Sequence, residues 1–128
     1  MEMKERLLSS QQTELDAVGM YKKIAEALEN ETHKAMILEI AADEGKHSAI
    51  IKRLTNEDVV PNEEKAAGTE MMIKTMGMKA VLAQFRQGEI NGEKNVTEMC
   101  KCFDEFKLIL PDEQKHIKYL EQILAEME

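Results

Sequence analysis

Two similar polar segments interrupt the apolar pattern of this chain, and they constrain its fold more than any other feature. Residues 40–47, IAADEGKH, and residues 109–116, ILPDEQKH, share Asp, Glu, Lys and His in register. In each segment a Glu and a His three residues apart occupy positions where helical spacing calls for apolar side chains. Glu44 with His47, and Glu113 with His116, should therefore point into the interior of a helical protein.

The apolar residues around these segments recur at three-and-four spacing, which is typical of amphipathic helices. The pattern predicts four helices, near residues 3–29, 32–55, 75–101 and 104–126. With 128 residues, two prolines and six glycines, the composition favours helix throughout and is sufficient for one compact core. The prediction is a single all-α domain over residues 1–128.

The stretch 56–70, NEDVVPNEEKAAGTE, is polar, contains Pro61 and Gly68, and breaks the helical period. We interpret it as one long connection between the second and third helices. About 15 residues can reach roughly 50 Å, whereas a helix of 24 residues is only about 36 Å long. The connection can therefore cross the length of the domain, which predicts a four-helix bundle with a long crossover between helices 2 and 3.

Several residues suggest where the helices begin. Asn30 or Thr32 can cap the second helix, Thr75 the third, and Asp104 suits the start of the fourth. Pro111 lies inside the predicted fourth helix and removes a backbone donor. It predicts either a kink or a later start of that helix.

The inner faces of the first and third helices each add one carboxylate, Glu14 and Glu89. Four buried carboxylates would cost several kcal/mol each without opposite charge, and two divalent cations balance them completely. Imidazole with carboxylate suits iron, manganese or zinc better than calcium. One Glu from each of two helices with Glu-x-x-His from the other two is a ligand set of di-iron and di-manganese bundles. The predicted ligands are Glu14, Glu44, His47, Glu89, Glu113 and His116.

Charge and composition exclude several other classes of protein. The formal net charge of −8 disfavours contact with nucleic acids and anionic membranes. No apolar run approaches the roughly 20 residues that span a bilayer, and residues 1–10 are too charged for a secretion signal, so we predict a cytoplasmic protein. Cys100 and Cys102 should remain thiols because they point in different directions on a helix. His33 is expected at the surface, away from the site.

Over nearly its whole length the chain resembles the rubrerythrin group of the ferritin-like superfamily. The resemblance is carried by Glu14 with Tyr21, by segments 43–47 and 112–116, and by Gly88-Glu89. It implies a ferritin-like bundle with two iron ions, for which manganese or zinc are possible substitutes. It also implies that Glu44 and Glu113 bridge the metals, that the other four residues are terminal ligands, and that Tyr21 hydrogen-bonds a ligand.

The chain departs from that family pattern in two places. Rubrerythrins usually have another Glu three residues after the ligand of the third helix, where this chain has Gly92. Glu93 would add a ligand if the helix bulges near Gly92, would replace Glu89, or is simply solvated. Rubrerythrins also usually carry a rubredoxin-like module with two CxxC pairs, and this sequence contains none. Electrons are therefore expected from an external donor such as a rubredoxin-like protein.

The resemblance implies a di-iron oxidoreductase that reduces hydrogen peroxide or dioxygen. An alternative within the family is a ferroxidase that oxidises Fe²⁺ for storage or detoxification. A different class of function, a metal-free helical interaction module, also fits an acidic helical chain. By analogy with its relatives, the protein is expected to form a homodimer.

Overall fold

The computed structural model describes residues 2–127, in which all regular elements are helices. The helices are α1 (Met3–Ala27), α2 (Glu31–Thr55), α3 (Glu63–Met76), α4 (Met78–Cys100), a 3₁₀ helix (Asp104–Leu108) and α5 (Leu110–Glu126). The chain divides into two compact units, the first ending at Glu70 and the second starting at Met71. That one domain spans residues 1–128 stays a prediction, and Met1 and Glu128 lie outside the described residues.

In the first unit, α1 and α2 form an antiparallel hairpin joined by residues 28–30. The Asn30 side chain accepts a hydrogen bond from the His33 backbone N–H at 3.0 Å, which confirms Asn30 as the cap of α2. The Ser48 hydroxyl donates to the Gln11 carbonyl at 3.1 Å and so ties the two helices together. The apolar core of this hairpin includes Leu7, Tyr21, Ile24, Ile37, Ile40 and Ile51.

The connection after α2 differs from the prediction for residues 56–70. Only its first part is irregular, because α3 begins at Glu63. The Asn62 side chain accepts the Glu64 N–H at 3.0 Å, and two glutamates occupy the first turn, where the helix dipole favours negative charge. Of the α3 residues only Thr69 is fully buried, so this helix has no wide apolar stripe for a periodicity argument to detect.

The predicted cap at Thr75 was wrong. The Thr75 hydroxyl donates to the Met71 carbonyl at 3.0 Å, inside the last turns of α3. The residue that precedes α4 is Gly77, with φ +90°, a conformation that side-chain-bearing residues rarely adopt. The helix predicted to begin at residue 75 therefore begins at Met78.

In the second unit, α4 and α5 form another antiparallel hairpin, with Arg86 of α4 bonded to Glu121 of α5. Helix α4 continues through Asn91 and Gly92 without interruption. Pro111 lies in the first turn of α5, where a missing N–H costs nothing, so the later start of this helix is confirmed. Asp104 begins the 3₁₀ helix instead. Buried apolar residues of this unit are Val81, Leu82, Val96, Met99, Phe106, Ile109, Leu120 and Ile123.

The helices between residues 2 and 127 include none that combines the length and the apolar character needed to cross a lipid bilayer.

Candidate metal centre

The first unit gathers three of the predicted ligands, Glu14 from α1 with Glu44 and His47 from α2, which we call the first trio. His47 Nδ1 lies 3.6 Å from Glu14 Oε1 and 3.9 Å from Glu44 Oε1. One ligand atom from each residue lies within 4.8 Å of the others. Glu14 retains 9% exposure, Glu44 3% and His47 none, so the first trio is removed from solvent.

The second unit gathers the other three predicted ligands, Glu89 from α4 with Glu113 and His116 from α5, which we call the second trio. His116 Nδ1 lies 3.4 Å from Glu89 Oε1. The three ligand atoms again lie within 4.8 Å of one another. Exposure is 6% for Glu89, 2% for Glu113 and none for His116, which makes this trio the more deeply buried one.

The geometry of both trios follows from the local structure of the helices that carry them. Within α2 and α5, the Glu and the His are three residues apart and so lie on the same face, one turn from each other. The antiparallel partner helix then needs to supply only a single carboxylate at the same level. Each helical hairpin thus builds the same set of side chains, two carboxylates and one imidazole.

The donor atoms fit a divalent transition-metal ion. Two ligand atoms at about 2.1 Å from one ion and roughly 110° apart lie about 3.4 Å from each other. The nitrogen–oxygen distances of 3.4 to 3.9 Å are therefore close to those that a shared ion requires. Buried carboxylates are costly without a compensating cation, and mixed nitrogen and oxygen donors suit iron, manganese or zinc. The buried residues of both trios fit a metal site.

Gly92 gives the second trio a feature that the first lacks. A Cβ atom at this position would lie 3.1 Å from Glu113 Oε2 and 3.8 Å from Glu113 Cδ. The carboxylate of Glu113 therefore rests against the backbone of α4, in space that any side chain at residue 92 would begin to fill. Next to Glu44 of the first trio, a Cβ atom built on Gly45 would lie 3.6 Å from Val18 Cγ2, which is an ordinary van der Waals distance.

Glu93, predicted as an additional or replacement ligand, belongs to neither trio. It is half-buried and lines a shallow groove of about 440 Å³ on the surface of the α4–α5 hairpin, together with Arg86 and Glu121. Helix α4 has no bulge at Gly92 that would turn Glu93 inward. A ligand role for Glu93 stays a prediction.

Two other residues singled out from the sequence are both buried. Tyr21 is 2% exposed on α1, seven residues and so two turns after Glu14, and its role as a hydrogen-bond partner of a ligand stays a prediction. The prediction that His33 is a surface residue was wrong, because this side chain is only 5% exposed. It occupies the first turn of α2, directly after the cap, four residues before the fully buried Ile37, and so shares its inward face.

Sequence reasoning missed Asp16, a 3% exposed carboxylate on α1 outside both trios. Its Oδ1 accepts hydrogen bonds from the Asn62 backbone N–H at 2.7 Å and from the Gln12 amide at 2.8 Å, and Lys65 Nζ lies 3.2 Å from Oδ2. Burial opposes ionisation of Asp16, but these hydrogen bonds and the lysine charge outweigh it, so its pKa is lowered. Asp16 thus fastens the start of α3 to α1. Asp16 lies two positions after Glu14, off the apolar stripe of α1, so helical periodicity did not indicate that it contacts α3.

A comparison with models of protein families covers all six residues of the two trios. The model of a family described as Rubrerythrin matches residues 5–124. This match confirms the resemblance and the all-α, ferritin-like fold predicted from the sequence. No curated protein and no solved structure shows a significant match.

Proposed function

The chain belongs to the rubrerythrin family, and on that premise we propose that it is a di-iron oxidoreductase that reduces hydrogen peroxide, or dioxygen, with the residues of each trio serving as metal ligands. The electrons would come from an external donor such as a rubredoxin-like protein. The observation that carries the proposal is the burial of two equivalent Glu, Glu, His trios, one on each helical hairpin. We further propose that the protein works in the cytoplasm as a homodimer.

Charge balance supports two ions rather than one. The trios contain four carboxylates, Glu14, Glu44, Glu89 and Glu113, with exposures between 2% and 9%. Two divalent cations offset their four negative charges, whereas one ion would leave two buried charges without compensation. The two imidazoles are neutral when they bind a metal through nitrogen and add no charge. The stoichiometry we propose is therefore two metal ions per chain.

The proposed reaction needs two electrons and two protons for each hydrogen peroxide, which yields two water molecules. Iron held by the residues of the trios would supply the redox chemistry of this reduction, and the external donor would supply the two electrons. The protein residues fix the geometry and exclude water, since His47 and His116 are completely buried. The four carboxylates and the two imidazoles would hold the metal, and the buried surroundings would keep these side chains oriented. Tyr21, two turns from Glu14 on α1, is the residue we propose to orient a ligand through its hydroxyl.

The test begins by loading the purified protein with ferrous iron without oxygen. We expect about two iron ions per chain, and peroxide consumption that oxidises two electron equivalents of reductant per peroxide. Glu113→Gln, which keeps the shape of the side chain but removes its charge, should lower both iron content and turnover. Glu121→Gln is the matched control on the same helix, because Glu121 is a surface residue paired with Arg86.

Three other outcomes would reject the proposal in different ways. Two bound iron ions without peroxide turnover would reject the reductase and leave the metal centre. Iron that accumulates beyond two per chain as it oxidises would favour the ferroxidase. A protein that binds no metal would favour the helical interaction module.

A further inference from the structure

We propose that Gly92 is a positioning residue for the metal centre, because the absence of its side chain lets the Glu113 carboxylate rest against the backbone of α4. The proposal deepens the function proposed above and rests on it. Gly92 has no direct role in binding a metal. It acts through Glu113, whose orientation it permits.

The contact is unusually close. A Cβ atom on Gly92 would lie 3.1 Å from Glu113 Oε2, a few tenths of an ångström inside a normal carbon–oxygen contact. Among the other glycines that the structure describes, only Gly19 on α1 comes nearly as close to a neighbour, with its Cβ position 3.3 Å from Ala66 Cβ. Gly88, one turn earlier on α4, and Gly68 on α3 have open space where a Cβ would be built.

Glu113 has little freedom to give way. Its side chain is 2% exposed, and one of its carboxylate oxygens lies within 4.8 Å of ligand atoms of Glu89 and His116. A carboxylate displaced by a Cβ would move relative to both of these residues. In a tightly packed interior, such added volume is accommodated by shifts and strain.

A glycine at residue 92 also destabilises α4 locally, so its presence there needs an explanation. Glycine inside a helix is less favourable than alanine, because it loses more backbone freedom on folding. Gly92 lies well inside α4, which runs from Met78 to Cys100, and needs no unusual backbone conformation there. The approach of Glu113 supplies the reason that backbone geometry does not.

The same contact separates this chain from the usual pattern of its family, which has a glutamate at the position of Gly92. Here the start of any such side chain would compete with Glu113 Oε2 for the same space. We infer that Glu113 takes the position beside α4, within reach of Glu89 and His116, because residue 92 leaves that space free.

Cobalt(II) offers a test that does not depend on enzymatic activity, because its visible absorption spectrum reports the ligands around each ion. The wild-type chain is expected to bind two cobalt ions. Gly92→Ala should weaken binding of at least one ion by roughly 10- to 100-fold, as changes to groups that orient ligands do, and should change the spectrum. Gly88→Ala is the matched control, a glycine-to-alanine change on the same helix without a clash, and should bind cobalt within twofold of wild type.

A double variant tests whether Gly92 acts through Glu113. Glu113→Asp withdraws the carboxylate by one methylene and should weaken cobalt binding by itself. If Gly92 acts through Glu113, adding Gly92→Ala to Glu113→Asp should cause little further loss. If Gly92→Ala alone fails to fold, as judged by circular dichroism, the double variant should recover the fold, since the clash is relieved.

The outcomes separate this inference from the function on which it rests. The role of Gly92 is overturned if the wild-type protein binds two cobalt ions and Gly92→Ala binds cobalt as tightly as Gly88→Ala. That result leaves the proposed metal centre intact. The role of Gly92 is also overturned if Gly92→Ala weakens cobalt binding equally with and without Glu113→Asp. A double variant that still fails to fold overturns it as well. A wild-type chain that binds no cobalt removes the metal centre, and the role of Gly92 with it.

Discussion

The α1–α2 hairpin and the α4–α5 hairpin carry the same set of predicted ligands, two Glu and one His, but are held together differently. In the first, buried polar contacts join the helices: Thr55 donates to the Gln11 amide oxygen at 2.6 Å, and Ser48 to the Gln11 carbonyl. In the second, Arg86 and Glu121 join the helices through a polar contact at the surface. The interior of this hairpin has an apolar core.

This difference shows that the trio depends on helix register and not on one particular way of packing two helices. A Glu and a His three residues apart on one helix need only one carboxylate at the same level on an antiparallel neighbour. The way in which each hairpin is stabilised is then free to vary. The comparison predicts that removing the predicted ligands of either trio weakens metal binding equally. It also predicts that removing polar contacts lowers the free energy of unfolding more in the first unit than in the second.

The largest expected effect comes from removing the paired ligands. Glu44→Leu with His47→Leu, and Glu113→Leu with His116→Leu, should each weaken iron binding more than about 100-fold, beyond the range for groups that only orient ligands. Metal-free stability should stay the same or rise, because buried polar groups become apolar. Iron analysis and urea unfolding of both pairs measure this. If only one pair mattered for iron, the two trios would not be equivalent.

A smaller effect is expected from Asp16, which fastens the start of α3 to α1 in the first unit. Asp16→Asn should cost about 1.5–3 kcal/mol at pH 7, the usual range for hydrogen bonds to a charged group. Because folding lowers the pKa of Asp16 below its ordinary value of 3.8, its contribution is present above pH 3.8. The contribution is lost as the pH falls through the lowered value.

Urea unfolding as a function of pH tests this expectation. The difference in stability between wild type and Asp16→Asn should shrink as the solution becomes more acidic than pH 3.8. Asp104→Asn serves as the control in the second unit, where the exposed Asp104 pairs with Lys107 at 3.0 Å. Its effect should be within about 0.5 kcal/mol, as for most surface substitutions. A pH-independent difference for Asp16→Asn would contradict the assigned role of its charge.

The smallest effect is expected at the surface of the second hairpin. Arg86 Nε and one terminal nitrogen lie 3.0 and 2.7 Å from Glu121 Oε2, and both side chains are more than a third exposed. A double-mutant cycle with Arg86→Met and Glu121→Gln should give a coupling energy of about 0.2–1 kcal/mol. That coupling should decrease in high salt, because exposed charges are screened. A coupling as large as the effect of Asp16 would contradict the distinction between the buried polar contacts of the first unit and this surface contact of the second.

The sequence by itself determined the four long helices of the two hairpins and the inward position of the six residues predicted as ligands. Helical periodicity is a local property, so the spacing of apolar residues was enough to predict α1, α2, α4 and α5 to within a few residues at most ends. The same periodicity placed Glu44 with His47, and Glu113 with His116, on inward faces. Asn30 and Pro111 likewise act through their own turn of helix, and their predicted effects were confirmed.

Only the tertiary structure decided which residues distant in the chain meet. Helix α3 escaped prediction because it has almost no buried stripe, and Asp16 of α1 fastens its start across an interval of 46 residues. The burial of His33 and the contact of Gly92 with Glu113 were also beyond the sequence pattern. A periodic pattern shows which way a side chain faces, but the atoms that it meets there depend on the packing of a second helix.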